Sequence, residues 1–259
     1  MGTASLIDIP INLSDPDSSI PVRANYTEDL PALSELFGWY TAGADYVTKD
    51  GSNNVSAMID RSTNGENMVA VTGNPLWVDE VMNGRPILRF AADAVMRWGT
   101  ASVASFPTTE SWTKVVIMRP DGVTATSNQN ILSDSRSSKH TLFRVNGTGD
   151  IRNDNSSSNS ATASAAAAGD EDRLIVASWD ADTKTSKIAI DGGAVSSDTN
   201  ASAAPTANYL FLGGPSTTAQ LRADVADVML FNVDILAAGN ASIYNLVKAY
   251  AESKYGIGA

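Results

Sequence analysis

The sequence predicts an all-β protein: a two-sheet antiparallel jelly-roll β-sandwich with a carboxyl-terminal helix and an extended amino-terminal arm. Three observations carry this expectation. The stretch Leu221–Val233, LRADVADVMLFNV, is apolar at both parities, with Val225, Met229 and Phe231 on one and Ala226, Val228 and Leu230 on the other. A strand apolar on both sides must be covered on both sides, which places it at the centre of a layered structure. Just after it, Ile243, Leu246, Val247 and Tyr250 recur at the i, i+3, i+4, i+7 spacing of a helix with one buried stripe. Upstream, short β-rich runs alternate with turn signals, the pattern of a sandwich or jelly roll.

Taken in order, residues 1–33 read as an extended arm and 34–259 as the sandwich. Pro10, Pro16, Pro21 and Pro31 forbid a long helix in the arm. Ile7, Ile9 and Ile11 alternate in an extended pattern and are the expected assembly contact, adding a strand to an open sheet edge of another subunit, the alternative being that the arm caps an edge of its own sandwich. FGWY at Phe37–Tyr40 is a short aromatic strand. Val55–Asn67 is a strand that ends in a turn, where Asp60, Ser62 and Asn64 can bond the local backbone.

Asn83-Gly84 is a tight turn before the strand Ile87–Phe90, and Trp112–Pro120 is a strand closed by proline. Thr141–Arg152 reads as strand, Asn146-Gly147 turn, strand. In Asn153–Gly169 the alanines favour a helix by propensity. Interleaved Ser and Thr, with strands on both sides, favour a loop plus a thin edge strand instead. Arg173–Asp180 and Lys187–Asp191 pair through a turn near Asp182, and Tyr209–Gly213 is one further strand. Lys248 and Lys254 lie towards the end of the helix, where its dipole favours cations, and Gly256 is placed to stop it.

Composition excludes several function classes. Cysteine is absent, which removes disulfides, thiolate metal sites and cysteine nucleophiles. The net charge of −11 repels phosphate backbones and anionic lipid, so neither nucleic acid nor a membrane surface is an expected partner. No uncharged apolar run approaches the ~20 residues needed to span a bilayer. The first residues lack the basic and apolar regions of a signal peptide.

No catalytic residues are expected. Glycoside hydrolysis needs two carboxyl groups facing one cleft, and no strand carries acids at a shared parity for that purpose. Asp170, Glu171 and Asp172 are consecutive, so neighbours point to opposite faces. Asp180 and Asp182 fall in a hairpin turn, and His140 is the single histidine. For binding, aromatic rings near turns are the candidates: Trp77, Trp98 and Tyr46. Asp134, Asp150 and Asp154 match no calcium-loop signature. No cofactor is expected, and the metal content stays open.

The run NGRPILRF (Asn83–Phe90) resembles a segment of concanavalin A-like domains of the laminin-G type. So does VSAMIDRSTNGEN combined with RADVADVMLFNVDIL and LVKAYAESKYGI downstream. The likeness spans about Leu36 to Ile257, and implies a two-sheet jelly roll with a terminal helix packed on it. The chain departs from the pattern at Met58, Thr63 and Ala91-Ala92, where such domains usually have Trp, Gly and an Asp-Gly turn. Any ion or sugar site built on those positions is therefore not implied. Such domains recur in phage and bacterial surface proteins. The function expected first is a non-catalytic virion surface or structural protein, a capsid decoration or fibre module contacting other subunits. The alternative is a carbohydrate-binding adhesin or receptor-binding module at the cell surface, with glycans as partners.

Overall fold

The computed structural model describes residues 29–91, 93–99, 110–121, 128–133, 141–145, 147–154, 162–165, 170–199, 209–214 and 220–258. The strands, in chain order, begin with β1 (Leu36–Thr41), β2 (Val47–Lys49), β3 (Val55–Met58), β4 (Met68–Thr72), β5 (Leu76–Met82) and β6 (Arg85–Phe90). Next come β7 (Val95–Trp98), β8 (Trp112–Pro120), β9 (Gln129–Ser133), β10 (Thr141–Arg144), β11 (Ile151–Asp154) and β12 (Thr162–Ala165). The last are β13 (Arg173–Asp180), β14 (Thr185–Ile190), β15 (Ser196–Thr199), β16 (Leu210–Leu212) and β17 (Ala223–Phe231), followed by the helix α1 (Ala241–Tyr255).

Among the described residues these strands form two antiparallel sheets, the sandwich that the sequence predicts. One has the order β15-β14-β13-β8-β17-β6-β5, with β1 also paired to β17. The other has the order β12-β11-β10-β9-β16-β7-β4-β3-β2. Trp98, Trp112, Met58, Met118, Leu132 and Leu230 belong to the core between the sheets. On the outer side of the first sheet Trp39, Ile117, Val176 and Phe231 meet Ile243 and Val247 of α1, and fully buried Leu30 joins this layer. The first sheet is thus covered on both faces, as its two-sided apolar strand requires.

Local chemistry sets several elements. Asn83 and Gly84 have φ 47° and 69°, the left-handed pair that closes the β5–β6 hairpin with a twist matching its strands. Gly256 takes φ 72° at the end of α1, and its N–H donates to Glu252 O at 2.9 Å. That left-handed cap stops the helix where the sequence places the stop. The Ala/Ser-rich segment yields a short edge strand, β12, paired with β11, and no helix among its described residues. No helix of the described residues is long and apolar enough to cross a membrane.

β17 departs from simple alternation. Its register against β8 shifts between Val225, opposite Met118, and Asp227, opposite Ile117, so a bulge inserts Ala226. β6 pairs with β17 before the bulge and β1 after it. Ala42 N–H donates to Ala226 O at 2.9 Å where the two meet. In consequence Val225 joins Val228 and Leu230 in the core between the sheets. Ala226, Met229 and Phe231 lie on the helix side. The sequence places Val225 with Met229 and Phe231, and the extra residue reverses that assignment. The bulge also turns the Asp227 carboxylate towards α1, where Tyr250 and Tyr255 meet it.

Candidate functional site

The site begins with a loop between β3 and β4 that is closed on one carboxylate. Asp60 Oδ1 accepts the N–H groups of Trp39 and Ser62, each at 2.9 Å. Its Oδ2 accepts Ser62 Oγ–H at 2.8 Å and Glu66 N–H at 3.1 Å. Four donors satisfy a buried acid that would otherwise be costly to desolvate. Arg61 N–H donates to Trp39 O at 2.9 Å, so the loop is tied to β1 at this residue. The Arg61 guanidinium carbon then lies 3.7 Å from the Trp39 ring centroid and 4.4 Å from that of Tyr46. Guanidinium planes are weakly hydrated and stack well on rings, so these contacts hold Arg61 in one pose.

The facing wall is the end of α1. Tyr250 and Tyr255 hydroxyls donate to Asp227 Oδ2 at 2.7 and 2.5 Å, and Lys254 Nζ donates to it at 3.1 Å. Lys254 Nζ also reaches Thr41 Oγ1 at 3.2 Å, across to β1. Asp227 is only 1% exposed, so this is a buried charge matched by a cation and two hydroxyls. Burial pushes the Tyr250 and Tyr255 hydroxyls far above the usual tyrosine range, and the Asp227 charge adds to it. The Trp39 ring meets the Tyr250 ring edge-on at 5.6 Å, which joins the two walls.

Between them lies a cavity of about 200 Å³ lined by Thr41, Gly43, Tyr46, Arg61, Arg85, Pro86, Lys254 and Tyr255. Its lining has three cations and no acid. Asp227 neutralises Lys254, whereas Arg61 and Arg85 have no acidic partner among the described residues. A larger cavity of about 340 Å³ lies at the ends of β6 and β8 and the start of β17. There three arginines (Arg89, Arg119, Arg222) face three aspartates (Asp121, Asp170, Asp224). Arg89 is paired with Asp224 at 2.8 Å and Arg119 with Asp172 at 2.6 Å. The smaller cavity therefore has the unspent positive charge, on a chain of net charge −11.

Of the residues singled out in the sequence, Tyr46 lines this cavity. Trp77 is half-buried, its Nε1–H donates to Ala42 O at 2.8 Å, and Lys49 Nζ sits 4.3 Å from its ring centroid. Trp98 is fully buried between the sheets, with its ring 5.2 Å from that of Phe37, and is a packing residue with no face to offer a ligand. Ile7, Ile9, Ile11, Asp134 and His140 lie outside the described residues. Among the described residues no three His, Asp or Glu side chains converge as a metal site, Asp150 and Asp154 included. Sequence reasoning missed Arg61, Arg85, Lys254 and Asp227. The sequence marks Asp60 as a turn residue, and the cation beside it, Arg61, is the available clue.

These placements separate two tryptophan and tyrosine substitutions. Trp98→Ala is expected to lower stability by about 3–5 kcal/mol, because it empties a close-packed interior. Tyr46→Ala, at a half-exposed ring, is expected to cost under about 1 kcal/mol. Chemical denaturation of both variants checks the contrast. Equal losses would show that Tyr46 is a structural residue.

No family model matches the chain, and no curated protein matches it. Solved structures share its fold at very low identity. The binding domain of botulinum neurotoxin serotype D/C VPI 5993 superposes with a TM-score of 0.59 at 9% identity, over 82% of this chain and 52% of that one. The binding domain of botulinum neurotoxin DC in complex with SialylT gives 0.57 at 9% identity, over 82% and 52%. Trypanosoma rangeli sialidase gives 0.55 at 10% identity, over 86% and 33%. The chain thus spans about half of the toxin domains and a third of the sialidase. Each neighbour is a likeness of fold, and the class they define is the two-sheet antiparallel β-sandwich.

Proposed function

We propose that this chain is a non-catalytic carbohydrate-binding module of the concanavalin A-like type, a receptor- or adhesin-type domain that meets glycans at a cell or particle surface. The observation that carries the reading is the cavity between Tyr46 and Tyr255, whose lining brings the polar donors Arg61, Arg85 and Lys254 beside the aromatic Tyr46. Such a combination of ring faces and fixed hydrogen-bond groups is how concave sites hold small polar ligands. The fold neighbours support a glycan partner, since one was solved with SialylT and others are sialidases. They lend no comparable support to a virion role, and the arm that would serve as its anchor lies outside the described residues.

We read the site as non-catalytic because its lining lacks the pair of carboxyl groups with which most glycosidases cleave. The test is a glycan array probed with the purified chain, followed by calorimetry on the sugars retained. Binding that Tyr46→Ala abolishes, with no reducing sugar released from β-glucans or sialosides, is the expected outcome. An array without any retained sugar, or turnover that one acid substitution removes, would overturn the proposal.

A further inference from the structure

We infer that the ligand of this cavity is an acidic sugar, a uronic or nonulosonic acid, whose carboxylate is held by Arg61 and Arg85. The inference rests on the carbohydrate reading above and deepens it. Its basis is the charge count on the cavity wall. Lys254 is engaged by Asp227 at 3.1 Å, which leaves two guanidinium groups facing the cavity without an acidic partner among the described residues. A neutral sugar would leave both charges unused in a recess, whereas a single carboxylate answers them. The larger cavity shows the opposite arrangement, where arginines face aspartates of the same wall. A ligand anion there would displace an acid already in place.

The geometry suits a planar anion. Arg61 is stacked on Trp39 and Tyr46, so its flat face is occupied by rings and its N–H edge is what remains for a ligand. An edge-on guanidinium pairs side by side with a carboxylate, a match that a lysine ammonium does not give. The main-chain Arg61 N–H to Trp39 O bond anchors the residue and the two rings hold its guanidinium, so little side-chain entropy is lost on binding. Arg85 is exposed at the start of β6 and lines the same cavity as the second guanidinium. Tyr46, half-buried on the lining, then offers an edge of ring for the sugar itself.

The test is titration calorimetry with the methyl glycosides of galacturonic acid and galactose, with N-acetylneuraminic acid, and with sodium acetate and a galactose sulfate. Both acidic sugars are expected to bind at least tenfold tighter than galactose, and to weaken as salt rises. Arg85→Gln, on an exposed side chain, should lose roughly tenfold or more of that affinity with an unchanged melting temperature. Arg61→Gln should lose as much affinity, with a lower melting temperature because its ring contacts go too, while Arg222→Gln in the other cavity should change nothing. Galactose and galacturonate bound equally, with both lost in Tyr46→Ala, would sink the carboxylate and leave the sugar reading standing. Acetate or the sulfated sugar bound as tightly as the acidic sugars would overturn the inference by showing a general anion site. Absence of binding by every sugar would remove both the inference and the reading beneath it.

Discussion

Asp227→Ala is expected to destabilise the protein by about 3–5 kcal/mol, the cost of removing one partner from a buried ion pair. The carboxylate is 1% exposed and a single oxygen, Oδ2, receives Tyr250, Tyr255 and Lys254. Without it two buried hydroxyls lose their acceptor and an ammonium group loses its counter-charge. All three belong to the last turns of α1, so the loss should appear there first. Hydrogen exchange is expected to quicken across residues 247–255 before it does in β8 or β13. The double variant Asp227→Asn, Lys254→Met removes both charges and should recover a substantial part of the stability, since matched apolar groups often replace buried pairs at little cost. Equilibrium urea unfolding of the three proteins decides it. A change below about 1 kcal/mol in Asp227→Ala would show that the pair contributes little to holding the helix.

A steep loss of stability is expected above about pH 10, the ordinary tyrosine range. Burial raises the folded-state hydroxyls of Tyr250 and Tyr255, with the nearby Asp227 charge adding to the effect. Below about pH 10 both groups are neutral in the folded and the unfolded chain, so their contribution is complete and flat. Above it the unfolded chain releases protons that the folded one retains, and stability falls as pH rises. Each tyrosine costs about 1.4 kcal/mol per pH unit, so the pair costs about 2.7 kcal/mol per unit in this range. Tyr40 is raised in the same direction and adds to the slope. Urea midpoints measured from pH 8 to 11 should stay level and then drop. The variant Tyr250→Phe, Tyr255→Phe should drop less steeply, and an identical slope would refute the assignment.

The parts of the fold that were legible in the sequence are those governed by local pattern. The two-sided apolar strand, the helical stripe with its terminal glycine, the Asn83-Gly84 turn and the β13–β14 hairpin all announce themselves within a few residues. β9 did not, because Gln129, Asn130 and Ser133 read as loop residues although the sandwich buries all of them. The bulge at Ala226 was equally hidden, since it falls where β17 changes partner from β6 to β1, a change that nothing in its own residues announces. The site was harder still. Arg61 matters through Trp39 and Tyr46, and Lys254 through Asp227 and Thr41. The sequence explains Lys254 sufficiently as a helix-end cation, and only the register of β1 on β17 brings it to the cavity. Trp98 shows the reverse case, an aromatic near a turn signal whose side chain is needed inside.

The position of β17 has a consequence for how the chain reaches this state. It is the last strand in chain order among the described residues, yet it lies between β8 on one edge and β6 and β1 on the other. Leu36 finds its partner, Phe231, only when almost the whole domain has been synthesised. Contacts so distant in sequence close slowly, because the intervening loop must be ordered before they contribute anything. During synthesis the flanks of β8 and β6 therefore wait unpaired, and such edges invite association between nascent chains. Polar positions along β6 and β8, Arg89 and Arg119 among them, discourage that association until the final strand arrives and Asp224 pairs with Arg89.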